Sequence, residues 1–330
     1  MSIDISVLIP THNRAEGLAE TLRAMAMLDL SDLSVRFVVI NNNSTDHTEA
    51  IVQSFVNCLP IRYRFEPRPG KSCALNGALD EEPLGDIVVF VDDDVSPCRD
   101  WLQAIRRACQ RWPDHKVFGG KVLSWWPDGQ PPAWWASATQ HGTWTLGGHD
   151  PGNQPGPYRP GLKPMGANTW ICRDVLVATR RFDESVGPCG QVTRIMGQDG
   201  VFINGLIRDG YEPIYCPDAV VYHRIQHEKV TPRGLRRRVW SQGRGGPHYG
   251  EPCHQSLLVR HLTLWHLLRV GALGWAAARY LLAMVHWSSG RRLGESLPAL
   301  GDIAYNLECL RIGRKLRRQV MRNPAYSSGL

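Results

Sequence analysis

Ile87 to Val91 is an unbroken apolar run in which four of five residues are β-branched, and it ends in Asp92-Asp93-Asp94. Such a run, with no polar alternation, reads as a strand buried on both faces. That requires helices above and below it, and so an α/β architecture. In open α/β sheets the C-terminal edge of the strands is where ligands bind, and here that edge receives three carboxylates. Adjacent carboxylates repel one another and favour a bound cation. Hard divalent ions such as Mg²⁺ or Mn²⁺ take oxygen ligands, often together with substrate phosphates. The alternative is a solvated acidic turn closed by Ser96-Pro97; the position after a buried strand favours the metal.

The same strand–turn–helix grammar precedes this run. Ile5 to Ile9 is a short apolar strand stopped by Pro10-Thr11-His12-Asn13-Arg14, and Glu16 to Met27 has helical spacing. Val35 to Ile40 is a second strand, stopped by Asn41 to Asp46, with Ser44 or Asp46 available to cap a helix over 47–57. Ile61 to Phe65 reads as a strand, and Gly70-Lys71-Ser72 enters a helix running to about Leu79. A Walker loop needs glycine at 65, where Phe65 stands, so Lys71 is read as a plain phosphate or carboxylate contact or as a solvated lysine.

Beyond the aspartates, Trp101 to Arg111 reads as a helix and Val117 to Leu123 as a strand. From Ser124 to Pro164 the periodicity fails, while Trp125, Trp126, Trp134, Trp135 and Trp144 accumulate among Gly and Pro. These rings either stack on a sugar or lipid or pack over the sheet edge. Arg173 to Arg180 is helical, and Gly197-Gln198-Asp199-Gly200 opens another helix, where the macrodipole favours an ionised Asp199. Glu212 to Cys216 and Ala219 to Tyr222 read as two strands, the second ending in His223-Arg224. The expectation is a Rossmann-like, mostly parallel sheet flanked by helices over residues 1–250, followed by a basic helical segment over 251–330.

Composition narrows the partners. The formal charge of +7 favours polyanions, whether nucleotide phosphates, acidic lipids or nucleic acid, and a charged fraction of 21% argues against wholesale disorder. Nine cysteines occur with no Cys-x-x-Cys, which signals neither a zinc cluster nor a disulfide framework and fits reduced thiols in the cytosol. The opening Met1 to Ile5 runs straight into a strand and does not read as a signal peptide.

Taken together and in order, these motifs resemble a family 2 glycosyltransferase of the GT-A fold, over about residues 5 to 245. The carriers are Val7-Leu8-Ile9-Pro10-Thr11-His12-Asn13, Asn41 to Asp46, Gly70-Lys71 with Ala74-Leu75-Asn76, and Asp92-Asp93-Asp94. Gly166-Ala167-Asn168, Arg181-Phe182-Asp183-Glu184, Gly197-Gln198-Asp199 and Val221-Tyr222-His223 complete the set. The resemblance implies transfer of one sugar from a nucleotide-sugar, taken as UDP-linked, to a hydroxyl acceptor in cell-surface or lipid-linked glycan synthesis.

The resemblance also implies roles. Pro10, Thr11 and Asn13 border the base and ribose, Asn42 meets the uracil edge where many relatives have Asp, and Lys71, Asp92 and Asp93 approach the nucleotide-sugar. Asp94 holds the divalent cation, with His223 as a further ligand or as a packed strand-end histidine. Gly166, Ala167 and Asn168 line the sugar or acceptor pocket. Asp199 is the general base of an inverting displacement, with Gln198 in place of the usual Glu. Processive members carry Gln-x-x-Arg-Trp, of which Arg236 to Trp240 is at most a distant echo. Rival readings are a sugar nucleotidyltransferase of related fold and a basic nucleic-acid binder.

In the C-terminal segment, Leu257 to Leu268 and Leu273 to Trp287 read as two amphipathic helices interrupted by Arg260, Arg269 and Arg279, too short in apolar run to span a bilayer. Arg311, Arg314, Lys315, Arg317, Arg318 and Arg322 follow. The expectation is an interfacial segment on anionic lipid, peripheral on the cytoplasmic face, with Trp265, Trp275 and Trp287 near the headgroups. The alternatives are a helical cap on the catalytic part and a homodimer contact.

Overall fold

In the computed structural model, the described residues are 3–132, 135, 148–177, 180–188, 195–249, 262–285 and 289–322. The chain divides into two compact units, one made of residues 1–129, 146–192 and 198–225, the other of 130–145, 193–197 and 226–330.

The first unit is built on one sheet. Its strands are β1 (Asp4–Thr11), β2 (Ser34–Asn41), β3 (Ile61–Phe65), β4 (Ile87–Phe90), β5 (Val95–Pro97), β6 (Val117–Trp125), β7 (Gly156–Pro157), β8 (Thr169–Cys172) and β9 (Pro213–Arg224). They lie in the order β3-β2-β1-β4-β8-β6-β9-β5, with β7 also on β9. The helices of this unit are α1 (Ala15–Met25), α2 (Thr48–Ser54), α3 (Lys71–Glu81), α4 (Trp101–Arg111), α5 (Arg173–Val177) and α6 (Gln198–Arg208).

The unbroken apolar runs are explained by a core on each face of the sheet. Ile5, Val7, Phe37, Val39, Ile87 and Val89 face Leu18, Leu22 and Met25 of α1 and Trp101 and Ile105 of α4. The alternate residues Leu8, Val38, Ile40, Val88 and Phe90 face Ala74, Leu75 and Ala78 of α3 and Phe202 and Leu206 of α6. Phe182 stacks on Phe202 with ring centroids 4.1 Å apart.

Strands β3, β2, β1 and β4 are parallel, so the ends of β1, β2 and β4 emerge at one edge. The other half of the sheet is mixed: β8 runs antiparallel to both β4 and β6, and β9 runs parallel to β6. The expected strands over 212–216 and 219–222 are one strand, β9, whose register against β6 shifts between Gly120 and Lys121. The shift takes up Pro217, Asp218 and Ala219, the first two of which look like a break in the sequence.

The second unit contains α7 (Pro232–Gly245), α8 (Leu262–Met284) and α9 (Ser289–Arg322). Its long C-terminal stretch runs from residue 226 rather than 251 and so includes α7. Gly243 of α7 abuts the backbone of Gly301 on α9, an approach that a side chain at 243 would block. The Thr231 hydroxyl accepts from Gly234 N and caps α7, with Pro232 in its first turn.

Two expectations for this unit are corrected. The helices read over 257–268 and 273–287 are a single helix, α8; residues 257–261, 286 and Trp287 lie outside the described set. Arg260 lies outside the described set; Arg269 and Arg279 do not interrupt the helix, because Arg269 lies over the rings of Trp265 and Tyr305, 5.5 Å from each, and Arg279 pairs with Asp302 at 2.6 Å. Trp265–Met284 is consequently long and apolar enough, by length and composition, to cross a membrane.

Candidate active site

The edge where β1, β2 and β4 end gathers the polar residues. Asn13 and Asn43 adopt left-handed φ of 50° and 55°, a conformation asparagine tolerates, and so turn the chain sharply after β1 and β2. Asn13 Oδ1 accepts from Thr45 N at 2.7 Å, and Ser44 Oγ accepts from Asn13 N at 3.0 Å, locking the two turns together. Asp46 accepts from Ala15 N and Thr48 N, satisfying the first turns of both α1 and α2. Pro10 is buried at the end of β1.

The aspartates diverge in role. Asp93 is enclosed: Thr11 donates to it at 2.7 Å and Arg14 at 2.6 Å. Burial pushes its carboxyl up to about 6, opposed by Arg14 and aided by the neighbouring Asp94 and Asp92. Arg14 also reaches Asp94 at 3.0 Å, so its guanidinium bridges two of the three acids. Arg14 stands in the quoted turn after β1 but drew no role from the sequence. The signal was the electrostatic need itself, since three adjacent carboxylates require a cation close by.

Asp92, Asp94 and His223 form the third grouping. Pairing of β5 with β9 sets His223 across from Val95, and Arg224 N donates to Asp94 O at 2.8 Å, which ties β9 to the acidic turn. Each of the three residues offers a ligand atom, and these atoms lie within 4.8 Å of one another. His223 Nε2 is 3.2 Å from Asp94 Oδ1, while the buried Nδ1 has no hydrogen-bond partner among the described residues. Two carboxylates and one imidazole, partly buried, fit a divalent cation.

Opposite this cluster stands Asp199, in the first turn of α6. Lys71, at the start of α3, donates to Asp92 at 2.6 Å and lies 3.5 Å from Asp199, so one ammonium links the acidic cluster to the lone carboxylate. Burial alone would lower the lysine's pKa; Asp199 and Asp92 outweigh it and hold the group charged. For Asp199, burial raises the pKa, aided by Asp92 and opposed by Lys71 and a hydrogen bond from its own backbone N–H; desolvation wins, against the ionised form that the helix start favours. Gln198 donates to Asp199 at 3.3 Å. Gly166 is required here: an added Cβ would sit inside the Asp199 side chain, 2.7 Å from its Cβ and closer to its carboxylate.

Two asparagines expected to face the donor are bonded elsewhere. Asn168 is fully buried, donates to Lys121 O at 2.9 Å and Ala219 O at 2.8 Å, and accepts from Trp101 Nε1 at 3.0 Å. Its amide joins β6, β9 and α4. Asn42 donates to Arg68 O at 2.6 Å and accepts from Gly70 N at 2.7 Å. Its amide holds the 66–70 loop, and with it Lys71, against the end of β2. Among the tryptophans, Trp135 is buried, and Trp125 is half exposed, edge-on to Tyr222. Trp134 and Trp144 lie outside the described residues.

Residues 6–145 match the family model described as Glycosyl transferase family 2. Succinoglycan biosynthesis protein ExoM of Rhizobium meliloti (strain 1021) is 28% identical over 247 residues, covering 74% of this chain and 73% of that protein. Poly(ribitol-phosphate) beta-N-acetylglucosaminyltransferase TarS of Staphylococcus aureus (strain MW2) is 30% identical over 90 residues, 27% of this chain and 16% of TarS. Among solved structures, the mannosyltransferase PcManGT of Pyrobaculum calidifontis, in complex with GDP-Man and Mn²⁺, superposes with a TM-score of 0.57 at 21% identity, covering 93% of this chain and 88% of that one. S. aureus TarS 1–349 in complex with UDP-GlcNAc gives 0.52 at 15% identity, covering 96% and 92%.

Proposed function

We propose that this chain, a family 2 glycosyltransferase with a GT-A fold, moves one sugar from a UDP-sugar to a hydroxyl of a saccharide or lipid-linked acceptor, with inversion and with a divalent cation. The observation that carries the reading is the Lys71 bridge, one ammonium within 2.6 Å of Asp92 in the Asp92–Asp94–His223 cluster and 3.5 Å of Asp199. Solved GT-A neighbours bound to GDP-Man with Mn²⁺ and to UDP-GlcNAc support a nucleotide-sugar donor.

Asp94 and His223, with Asp92 beside them, would hold the cation, which when bound neutralises charge on the leaving diphosphate. The protein's own groups do the rest. Pro10, Thr11 and Asn13 form the wall on the nucleotide side, with Asn42 positioning the 66–70 loop. Lys71 presents a fixed positive charge between the donor site and the base. Asp199 takes the proton of the acceptor hydroxyl as its oxygen attacks the anomeric carbon. Burial raises its proton affinity, while Lys71 opposes that shift and favours the carboxylate form. Gly166 leaves room for the carboxylate. The described cysteines are all free thiols, which fits work in the reducing cytoplasm.

The test is direct. The protein is incubated with Mn²⁺ and a panel of UDP-, GDP- and dTDP-sugars, and slow donor hydrolysis is followed. Cation-dependent release of UDP is the expected result; release of pyrophosphate, or no turnover of any donor, would sink the reading.

A further inference from the structure

Helix α8 presents two chemically different faces. Toward α9 it buries Ala276 and Ala283, and it places its two arginines there as well, Arg269 over Tyr305 and Arg279 on Asp302. Away from α9 it exposes Leu267, Leu268, Trp275, Leu281, Leu282 and Val285, each between 64% and 75% accessible. These positions recur at helical spacing, and no charged residue lies among them. A stripe about 20 residues long extends about 30 Å at the helical rise. An uncharged apolar face of that length marks contact with another apolar phase.

We infer that this face seats the protein on an anionic lipid bilayer, with α8 lying in the plane of the interface. Charge complementarity identifies the occupant. Gly313 of α9 abuts Trp265 and His266 near the start of α8, and beside it Arg314 and Lys315 are exposed. The sequence adds Arg317, Arg318 and Arg322 to the same helix. Cations beside an apolar stripe match acidic headgroups over acyl chains, and the same cations on a chain of charge +7 would repel a second copy. Although α8 is long enough to cross a membrane, its inner face is bonded to α9, where Asp302, Asn306 and Glu308 would be carried into hydrocarbon by a crossing. The helix therefore lies on the bilayer. This seat uses no residue of the active site and stands whether or not the proposed chemistry does.

Flotation of the full chain with vesicles of phosphatidylcholine plus phosphatidylglycerol, against phosphatidylcholine alone, tests the seat. Binding should be at least about tenfold stronger to the anionic vesicles and should weaken with salt. The double variant Leu268→Glu/Leu281→Glu should lower partitioning by about tenfold or more, with unchanged circular dichroism and thermal midpoint. The milder Trp275→Ala should lower it in the same direction, should the double variant fold poorly. Arg314→Gln/Lys315→Gln should remove much of the preference for anionic lipid. Absence of vesicle binding, binding indifferent to both apolar variants, or retention on vesicles through high salt and alkaline carbonate would each overturn the inference. So would a dimer in solution that Leu268→Glu/Leu281→Glu dissociates.

Discussion

Replacing Gly166 with alanine moves the proposed base without touching its chemistry. The added methyl would lie 2.7 Å from Asp199 Cβ and nearer still to the carboxylate, where ordinary contact begins at 3.4 Å. Asp199 must therefore retreat by about 1 Å, and its 3.5 Å contact with Lys71 stretches beyond hydrogen-bonding range. Misplacing a reacting group by about 1 Å costs on the order of a hundredfold in rate, or about 2.7 kcal/mol of barrier. Overpacking also costs about 1–3 kcal/mol of stability, so the variant is assayed well below its own unfolding midpoint. Steady-state release of nucleotide gives kcat, and calorimetric titration gives donor affinity. The expected outcome is kcat down about a hundredfold with UDP affinity within about twofold of the parent. Adding Gly166→Ala to Asp199→Asn should then cost almost nothing further, because both act through one carboxylate. An unchanged kcat, or a loss of donor affinity that accounts for the whole effect, would refute the reasoning.

Other residues lend themselves to shorter tests. Asn168→Ala orphans the buried indole N–H of Trp101 and two backbone carbonyls; it should destabilise the fold by about 2–4 kcal/mol in chemical denaturation while leaving kcat of the folded fraction near normal. His223→Ala should weaken Mn²⁺ binding about tenfold or more by calorimetry, and an unchanged affinity would remove it from the ligand set. Glu308 is enclosed by Arg244, Arg311 and His248; burial works against ionisation, but these three hold its carboxyl at about 2, against an ordinary 4.5. Its contribution, about 3 kcal/mol, is complete above pH 4.5 and is lost as pH falls toward 2. Glu308→Gln should remove that part of the acid-unfolding slope, and an identical slope would contradict the assignment.

The sheet's parallel half was readable because each strand carries its own evidence: an apolar run, a polar stop, a helical period. The reversal at β8 was not, since a strand buried on both faces has the same composition in either direction. Lys71, Asp94, His223 and Asp199, picked out by spacing and chemistry, come close together in the fold. Asn42 and Asn168 were misjudged because an amide serves a backbone as readily as a ligand, and the choice depends on distant groups. For Asn168 the deciding partner, Trp101, is 67 residues away. The arginines of α8 read as interruptions for the same reason, since Asp302 lies 23 residues beyond Arg279.

In the proposed mechanism Asp199 acts on the acceptor while the aspartate–histidine cluster holds the cation at the donor diphosphate. Asp199→Asn with Mn²⁺ and the best donor from the panel tests it in one experiment, reading turnover and nucleotide affinity together. Turnover is expected to fall by about 10²- to 10⁴-fold with nucleotide affinity intact. Turnover within a few-fold of the parent enzyme would contradict it.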